Sequence, residues 1–277
     1  MGQLALEPRP YPLRAVPRVR TVGAGPLSVI HADDAPRVSV IIAAWDEEES
    51  LGYVLPRLPR GLYEVILVDG NSTDRTIERA VELRPDIRIV MQPGKGKGDA
   101  LRAGFAAARG DIVIAIDADG STDPIEIPAF VGALLAGADY VKGSRFLTGG
   151  GTDDMTFTRK MGNLGLMVLC RILFGTRYTD LNYGYTGFWL RELNRLDLRS
   201  EGFEIETEMN LRAAIAGLHV VEVASFEGPR VGGVAHLVPL KDGWRVLMEI
   251  LRQRTRPAAE AVRNAGRTYI PEAEQPC

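Results

Sequence analysis

An α/β protein built on a mostly parallel sheet is the fold that this sequence predicts, on three observations. Short apolar runs rich in β-branched residues recur at Val38 to Ala44, Glu64 to Val68, Ile87 to Met91 and Ile112 to Ile116. Helical stretches alternate with them, at Glu48 to Leu58, Asp74 to Leu83 and Gly98 to Ala108. The runs are apolar throughout rather than at every second residue, the pattern of strands covered on both faces, and such strands belong to parallel sheets.

Each element has a local reason. Ser72 or Asp74 offers an N-cap oxygen to the second helix. Further on the pattern is less regular, with helices near Thr156 to Phe174 and Glu204 to Ala216, a strand at His219 to Val223 and a last helix from about Lys241 to Arg254. Residues 1 to 36 are rich in Pro, Arg and Gly without periodicity, so they are expected to form an irregular arm.

A chain of 277 residues, 45% hydrophobic and 25% charged, can bury a substantial core and has the balance of a soluble globular protein. Its formal net charge of -3 supplies no basic field, which argues against nucleic acid as a partner. Two cysteines, Cys170 and Cys277, make no disulfide framework and suit a reducing cytosol. Prolines at 8, 10, 12 and 17 interrupt the first residues, where no signal-type apolar run is found. Leu164 to Phe174, the most apolar later stretch, falls short of the roughly 20 residues of a spanning helix.

In a parallel sheet, ligands bind beyond the carboxyl ends of the strands, which directs attention to Asp46, Asp69 and the segment Asp117 to Asp123. Ile112 to Ile116 runs directly into Asp117-Ala118-Asp119, so that one turn can aim two carboxylates at a point. Hard oxygen ligands of this kind suit Mg²⁺ or Mn²⁺, with Ser121 as a weak third ligand and diphosphate oxygens completing the shell. Such an ion neutralises the charge that grows on a nucleoside diphosphate as it leaves a sugar.

The segments VSVIIAAWDEEE from Val38, VILVDGNSTDRT from Val65, GKGKGDALRAGFAAARGD from Gly94 and IAIDADGSTDP from Ile114, in this order, resemble family 2 glycosyltransferases of the GT-A fold. The resemblance continues through YVKGSRF from Tyr140, the loop Gly149-Gly150-Gly151 followed by Arg159-Lys160, TDLNYGYTGF from Thr179 and EGFEIETEMNLRAAIAGL from Glu201. These later pieces look most like the polyprenyl-phosphate mannosyl- and glucosyltransferase branch. The implied division is an arm over 1–36, a glycosyltransferase domain over 37–236, and a basic amphipathic helix and tail over 237–277.

Carried over residue by residue, the resemblance implies a nucleoside-diphosphate sugar donor. Asp46 and Glu48 would lie near its base, Asp69 would contact base or ribose, Lys97 would face the nucleotide, and Arg230 would approach the diphosphate. Asp117 and Asp119 would be the metal aspartates. Arg159 would reach a phosphate of donor or acceptor, with His236 as a weaker phosphate contact. The family inverts the anomeric centre in a single displacement, and a hydroxyl acceptor then needs a base, for which Asp180 ranks ahead of Glu204 and Glu206. Helical spacing aligns Glu204 with Glu208 and turns Glu206 away. A phosphate monoester needs no base, because its second pKa near ~6 leaves it mostly dianionic at neutral pH.

Two departures from that branch bear on the acceptor: Trp189 follows Thr186-Gly187-Phe188 where arginine is usual, and Leu164 stands where an arginine is common. A tryptophan face can stack on a sugar or an aromatic acceptor, or fill a core. In the last helix Lys241, Arg245, Arg252, Arg254 and Arg256 surround Trp244, Val246, Leu247, Ile250 and Leu251, a pattern that fits either packing on the domain or lying on anionic lipid.

Three readings follow. One is transfer of a hexose from a GDP- or UDP-sugar to a polyprenyl phosphate, in the cytoplasm or peripherally at the inner face of a membrane. The second keeps the donor and takes a soluble acceptor, such as a specialised metabolite, a peptide or a small phosphorylated metabolite. The third is a non-catalytic or nucleotidyltransferase-like binder, against which stand the acidic residues of Trp45-Asp46-Glu47-Glu48, where a triphosphate would be repelled. Spacing leaves donor base, sugar and oligomeric state open.

Overall fold

A computed structural model of the chain describes residues 35–232 and 239–256. The arm predicted for 1–36 therefore lies almost wholly outside the described residues, as do His236 and the tail beyond 256.

The first half alternates strand and helix as the pattern requires: β1 Val38–Ala44, α1 Glu48–Val54, β2 Glu64–Asp69, α2 Thr76–Leu83, β3 Arg88–Met91, α3 Lys97–Ala107 and β4 Ile112–Asp117. Then come α4 Ile127–Leu135, β5 Tyr140–Ser144, β6 Gly151–Thr152, α5 Phe157–Phe174, β7 Thr186–Trp189 and α6 Leu193–Leu196. The described elements close with α7 Ile205–Ile215, β8 Val220–Ala224, β9 Phe226–Glu227 and α8 Pro239–Thr255. Seven strands form one sheet in the order β3-β2-β1-β4-β7-β5-β8, and β6 pairs with β9 in a small second sheet. Only β7 runs antiparallel to its neighbours in the main sheet.

The continuous apolar runs have a simple physical origin. In β4, Ile112, Ile114 and Ile116 enter one core while Val113 and Ala115 enter the other, and β1 and β2 divide in the same period of two. The first core lies under α1, α2 and α4, the second under α3 and α7. A third cluster joins α5, α7 and α8 through Cys170, Leu181, Leu211, Val246 and Ile250. Among the described residues no helix is long and apolar enough to cross a membrane.

Several expectations are amended. The strand expected from Ile87 as buried on both faces is the half-exposed edge strand β3. The first helix ends at Val54, and Leu55–Arg57 continues as a tighter turn, since Pro56 has no amide hydrogen to donate. Neither Ser72 nor Asp74 is the N-cap of α2: that position is Arg75, which makes no side-chain cap bond, and Asp74 before it accepts the Thr76 amide at 2.9 Å. Element α4 escaped the sequence pattern because its nine residues include no charge to mark a solvent face. Strand β7 has four residues, too few to show a period.

The seating of α3 supplies a test. A Cβ on Gly104 would stand 2.4 Å from Ile41 Cγ2 and 2.9 Å from Val68 Cγ2, both on strands beneath the helix. Gly104→Ala is therefore expected to overpack this layer at a cost of about 1–3 kcal/mol, read as a lowered midpoint in thermal unfolding. An unchanged midpoint would contradict this packing.

Candidate active site at the carboxyl edge of the sheet

Register brings the predicted carboxylates together. Ala44 of β1 pairs with Asp69 of β2, and Ala43 pairs with Asp117 of β4, so three adjacent parallel strands end at one edge. Strands in a sheet lie about 4.8 Å apart, which turns a spacing of many residues into neighbouring side chains.

Asp46 occupies the left-handed region, φ 53°, which a short polar side chain tolerates better than most. Its amide donates to Ser72 Oγ at 2.9 Å and its carboxylate accepts from the Thr73 amide at 2.6 Å. Glu48 accepts from the Arg75 amide at 3.2 Å. These two residues thus clip the β1–α1 loop to the β2–α2 loop. Asp69 is fully buried; one oxygen accepts from the Ser72 amide at 2.9 Å, and Oδ1 has no partner. A buried carboxylate oxygen without a donor is costly unless a ligand's hydroxyl or N–H supplies one.

The Asp117-Ala118-Asp119 turn is balanced by two cations. Lys97 Nζ lies 2.6 Å from Asp117 Oδ1 and 2.5 Å from Glu206 Oε1. Burial alone would lower the Lys97 pKa, but the two carboxylates outweigh it and raise the value, so the amine is held charged. Glu206 moves upward, through burial first and then the charge of Asp117, with Lys97 opposing. Arg230 reaches Asp119 Oδ2 at 3.1 Å and Glu47 Oε1 at 2.7 Å. Burial raises the Glu47 pKa against the pull of Ser50 and Arg230. The Ser121 amide donates to Asp119 Oδ1 at 2.9 Å.

Two features suit a divalent ion here. Asp117 and Asp119 are hard oxygen donors on one turn, and Gly184 leaves open the space beside Asp117, where a Cβ would stand 2.7 Å from Asp117 Oδ2. No group of three or more His, Cys, Asp or Glu side chains converges to hold a metal among the described residues. Mg²⁺ is often held by one or two carboxylates plus substrate phosphates and water, so a pair of aspartates matches that chemistry.

The residues expected on the acceptor side are more dispersed. Asp180 is fully buried and grips Arg145, with Nε to Oδ2 at 2.6 Å and Nη2 to Oδ1 at 2.9 Å. Burial pushes the Asp180 pKa up, but Arg145 outweighs it and holds the carboxyl below its ordinary 3.8. With both oxygens engaged, this carboxylate anchors Arg145 and is not poised as a base. Arg145 spans to Glu227 at 3.0 Å, and Glu227 accepts from Thr152 Oγ1 at 2.5 Å, tying the glycine loop to β9.

Glu204 flanks α7 and accepts from the Gly202 amide at 3.2 Å, and it is Glu206, which helical spacing had turned away, that meets Lys97. The spacing argument fails because Ile205 to Ala213 are all buried, so every face of α7 meets protein. Arg159 lies in the first turn of α5 and pairs with Asp154 at 3.2 Å. Trp189 is at the other end of the sheet, paired with Ile112 at the start of β4, and its indole donates to the Ala138 carbonyl at 3.1 Å. It packs on the core and offers no stacking face at the site. The contacts of Glu47, Arg145, Gly184 and Glu227 were missed by sequence reasoning; Glu47, Arg145 and Gly184 stood inside the motifs given above, but nothing in their spacing marked these roles.

The glycosyl transferase family 2 model matches residues 39–196. A dolichol-phosphate mannosyltransferase of Pyrococcus furiosus is 32% identical over 73% of this chain, which spans 59% of that relative's length. An undecaprenyl-phosphate mannosyltransferase of Micrococcus luteus is 35% identical over 68% of this chain and 82% of its own. Glucosyl-3-phosphoglycerate synthase from Mycobacterium tuberculosis, solved with Mg²⁺ and uridine diphosphate, superposes with a TM-score of 0.65 at 24% identity over 81% of each chain.

Two outcomes test this geometry. Gly184→Ala pushes a methyl against Lys97, Asp117 and Glu206, all flexible side-chain ends within 2.8 Å. The unfolding midpoint should hold while turnover falls by on the order of 10²-fold, since small misplacements at a reacting centre are costly. Asp180→Asn leaves Arg145 partly uncompensated and should destabilise by about 3–5 kcal/mol at pH 7. Because the folded pKa is depressed, the stabilisation is present above the ordinary value and lost as pH falls through the folded one. Denaturant titrations should therefore show the gap between wild type and variant narrowing below about pH 4.

Proposed function

The chain belongs to glycosyl transferase family 2 and has its GT-A fold, and on that premise we propose that it moves a hexose from a nucleoside-diphosphate sugar, of GDP-mannose or UDP-glucose type, to a polyprenyl phosphate. The observation that carries the reading is the convergence of Asp69, Asp117 and Asp119 with Lys97 and Arg230 at the ends of adjacent strands. Relatives named for dolichol-phosphate and undecaprenyl-phosphate mannosyl transfer support the acceptor class.

In this reading the unpartnered oxygen of Asp69 accepts from base or ribose, with Asp46 and Glu48 at the base side of the same pocket. Lys97 and Arg230 exchange their carboxylate partners for the diphosphate. Mg²⁺ or Mn²⁺, held by Asp117 and Asp119 with Ser121 beside them, would add Lewis-acid neutralisation of the leaving diphosphate. Arg159 receives the acceptor phosphate by exchanging its exposed pairing with Asp154. A phosphate dianion attacks the anomeric carbon directly and inverts it, so the engagement of Asp180 by Arg145 costs the reaction nothing. Glu204 has no proton to take in this scheme. Trp189, at the far end of the sheet, lends the soluble-acceptor alternative no stacking face.

The test is sugar transfer to a short-chain polyprenyl phosphate, offering GDP-mannose and UDP-glucose in turn with Mg²⁺ and with Mn²⁺. Turnover with one donor is expected, and Asp119→Ala should reduce it by roughly 10²–10³-fold, the scale of losing one charge-stabilising contact to a leaving group. No transfer from either donor would reject the acceptor class. Transfer to small phosphorylated metabolites alone would establish the soluble reading.

A further inference from the structure

Amphipathic character in the sequence drew attention to α8, but the structure spends much of that helix's apolar face internally. Val246 and Ile250 are buried against α5 and α7, while Trp244 and Leu251 remain exposed. The larger free apolar surface is on α5. Phe157, Met161, Leu164, Val168 and Ile172 recur at intervals of four, three, four and four, and each is exposed, Phe157 by 76% and Ile172 by 74%. That is one continuous stripe along the helix. The opposite face, with Cys170, Leu166, Met167, Leu169 and Leu173, is already spent on the third core cluster. Leu164 is part of the stripe.

We propose that the exposed stripe of α5 docks on the surface of an anionic phospholipid bilayer, with Trp244 and Leu251 of α8 entering the same interface. Charge selects this occupant. The 18 residues of α5 contain no aspartate or glutamate, and Lys160 and Arg171, both exposed, make no ion pair among the described residues. On α8 the same segregation holds: Lys241, Arg245, Arg252 and Arg254 are exposed, whereas Asp242 and Glu249 are buried. Exposed Asp153 and Asp154 precede α5, Asp154 paired with Arg159, and beyond them the outward charges of both helices are cations, which with the apolar stripe match the acyl boundary and phosphate layer of anionic lipid. A second copy of the chain would bring the same cations to the contact with no carboxylate on α5 to meet them.

The position also has a purpose, which rests on the lipid-acceptor reading above. Arg159 lies in the first turn of α5, and Asn163, one turn on, donates to Asp180 at 3.4 Å. A helix lying in the headgroup layer would therefore hold the acceptor side of the site at the depth of a lipid-borne phosphate.

The experiment is flotation of the full chain with vesicles of phosphatidylcholine alone and of phosphatidylcholine containing phosphatidylglycerol. Binding is expected on the anionic vesicles and is expected to weaken with salt. Replacing three stripe residues together, Phe157→Ser, Val168→Ser and Ile172→Ser, should cut it by roughly tenfold or more. The same triple variant should keep wild-type transfer to a water-soluble short-chain polyprenyl phosphate. A second variant guards against misfolding: Ile172→Trp adds an exposed fluorophore whose emission brominated acyl chains should quench beyond the wild-type background. Absence of flotation, flotation unchanged in the triple variant, or no added quenching would overturn the docking face. A stable dimer that the triple variant dissolves would overturn it in favour of a second copy. Failure of transfer in the wild type would instead strike the acceptor reading, since flotation needs no turnover.

Discussion

Like charges gathered at one edge of a parallel sheet repel one another, and the pairing of Lys97 and Arg230 with four carboxylates is what lets this edge exist. Lys97 neutralises Asp117 and Glu206 from the start of α3, and Arg230 neutralises Asp119 and Glu47 from the segment after β9. Each cation thus fastens a distant element to the strand ends. In the proposed donor role the same two cations would be recruited by a diphosphate, which would replace one set of ion pairs with another rather than enter a field of bare carboxylates.

A second ionic centre orders the half of the molecule that carries no simple alternation. Arg145, at the end of β5, uses its fork to hold Asp180 and Glu227, and Lys142 on the same strand reaches Glu222 of β8 at 3.1 Å. Buried groups of this kind contribute little net stability compared with apolar residues of equal size, but breaking one partner is expensive. Their effect is to fix which loops meet: the glycine loop through β6 and β9, and the Thr179 to Asn182 segment beneath α5.

The surface shows a division of labour between the last long helices. A basic amphipathic pattern in sequence does not say which apolar residues are left over once packing is complete. In α8 the regular apolar positions Val246 and Ile250 close a core, and in α5, whose polar residues are few, the outward stripe stays free. Exposed apolar surface of this continuity is unusual for a protein face that meets only water.

The sequence by itself determined the parallel half of the sheet, because strands buried on both faces leave continuous apolar runs and helices between them leave a period of 3.6. It also singled out the carboxylates of one sheet edge, since Asp46, Asp69, Asp117 and Asp119 lie at or just after strand ends and parallel register places strand ends together. Tertiary structure alone decided the rest. Glu206 rather than Glu204 meets Lys97 because α7 is enclosed on every side, and Asp180 is an anchor because Arg145, 35 residues away, takes both its oxygens. Trp189 is a core residue because β7 runs antiparallel and carries it away from the strand ends. These outcomes depend on contacts between segments far apart in the chain, and local spacing carries no record of which partner a charged side chain will find.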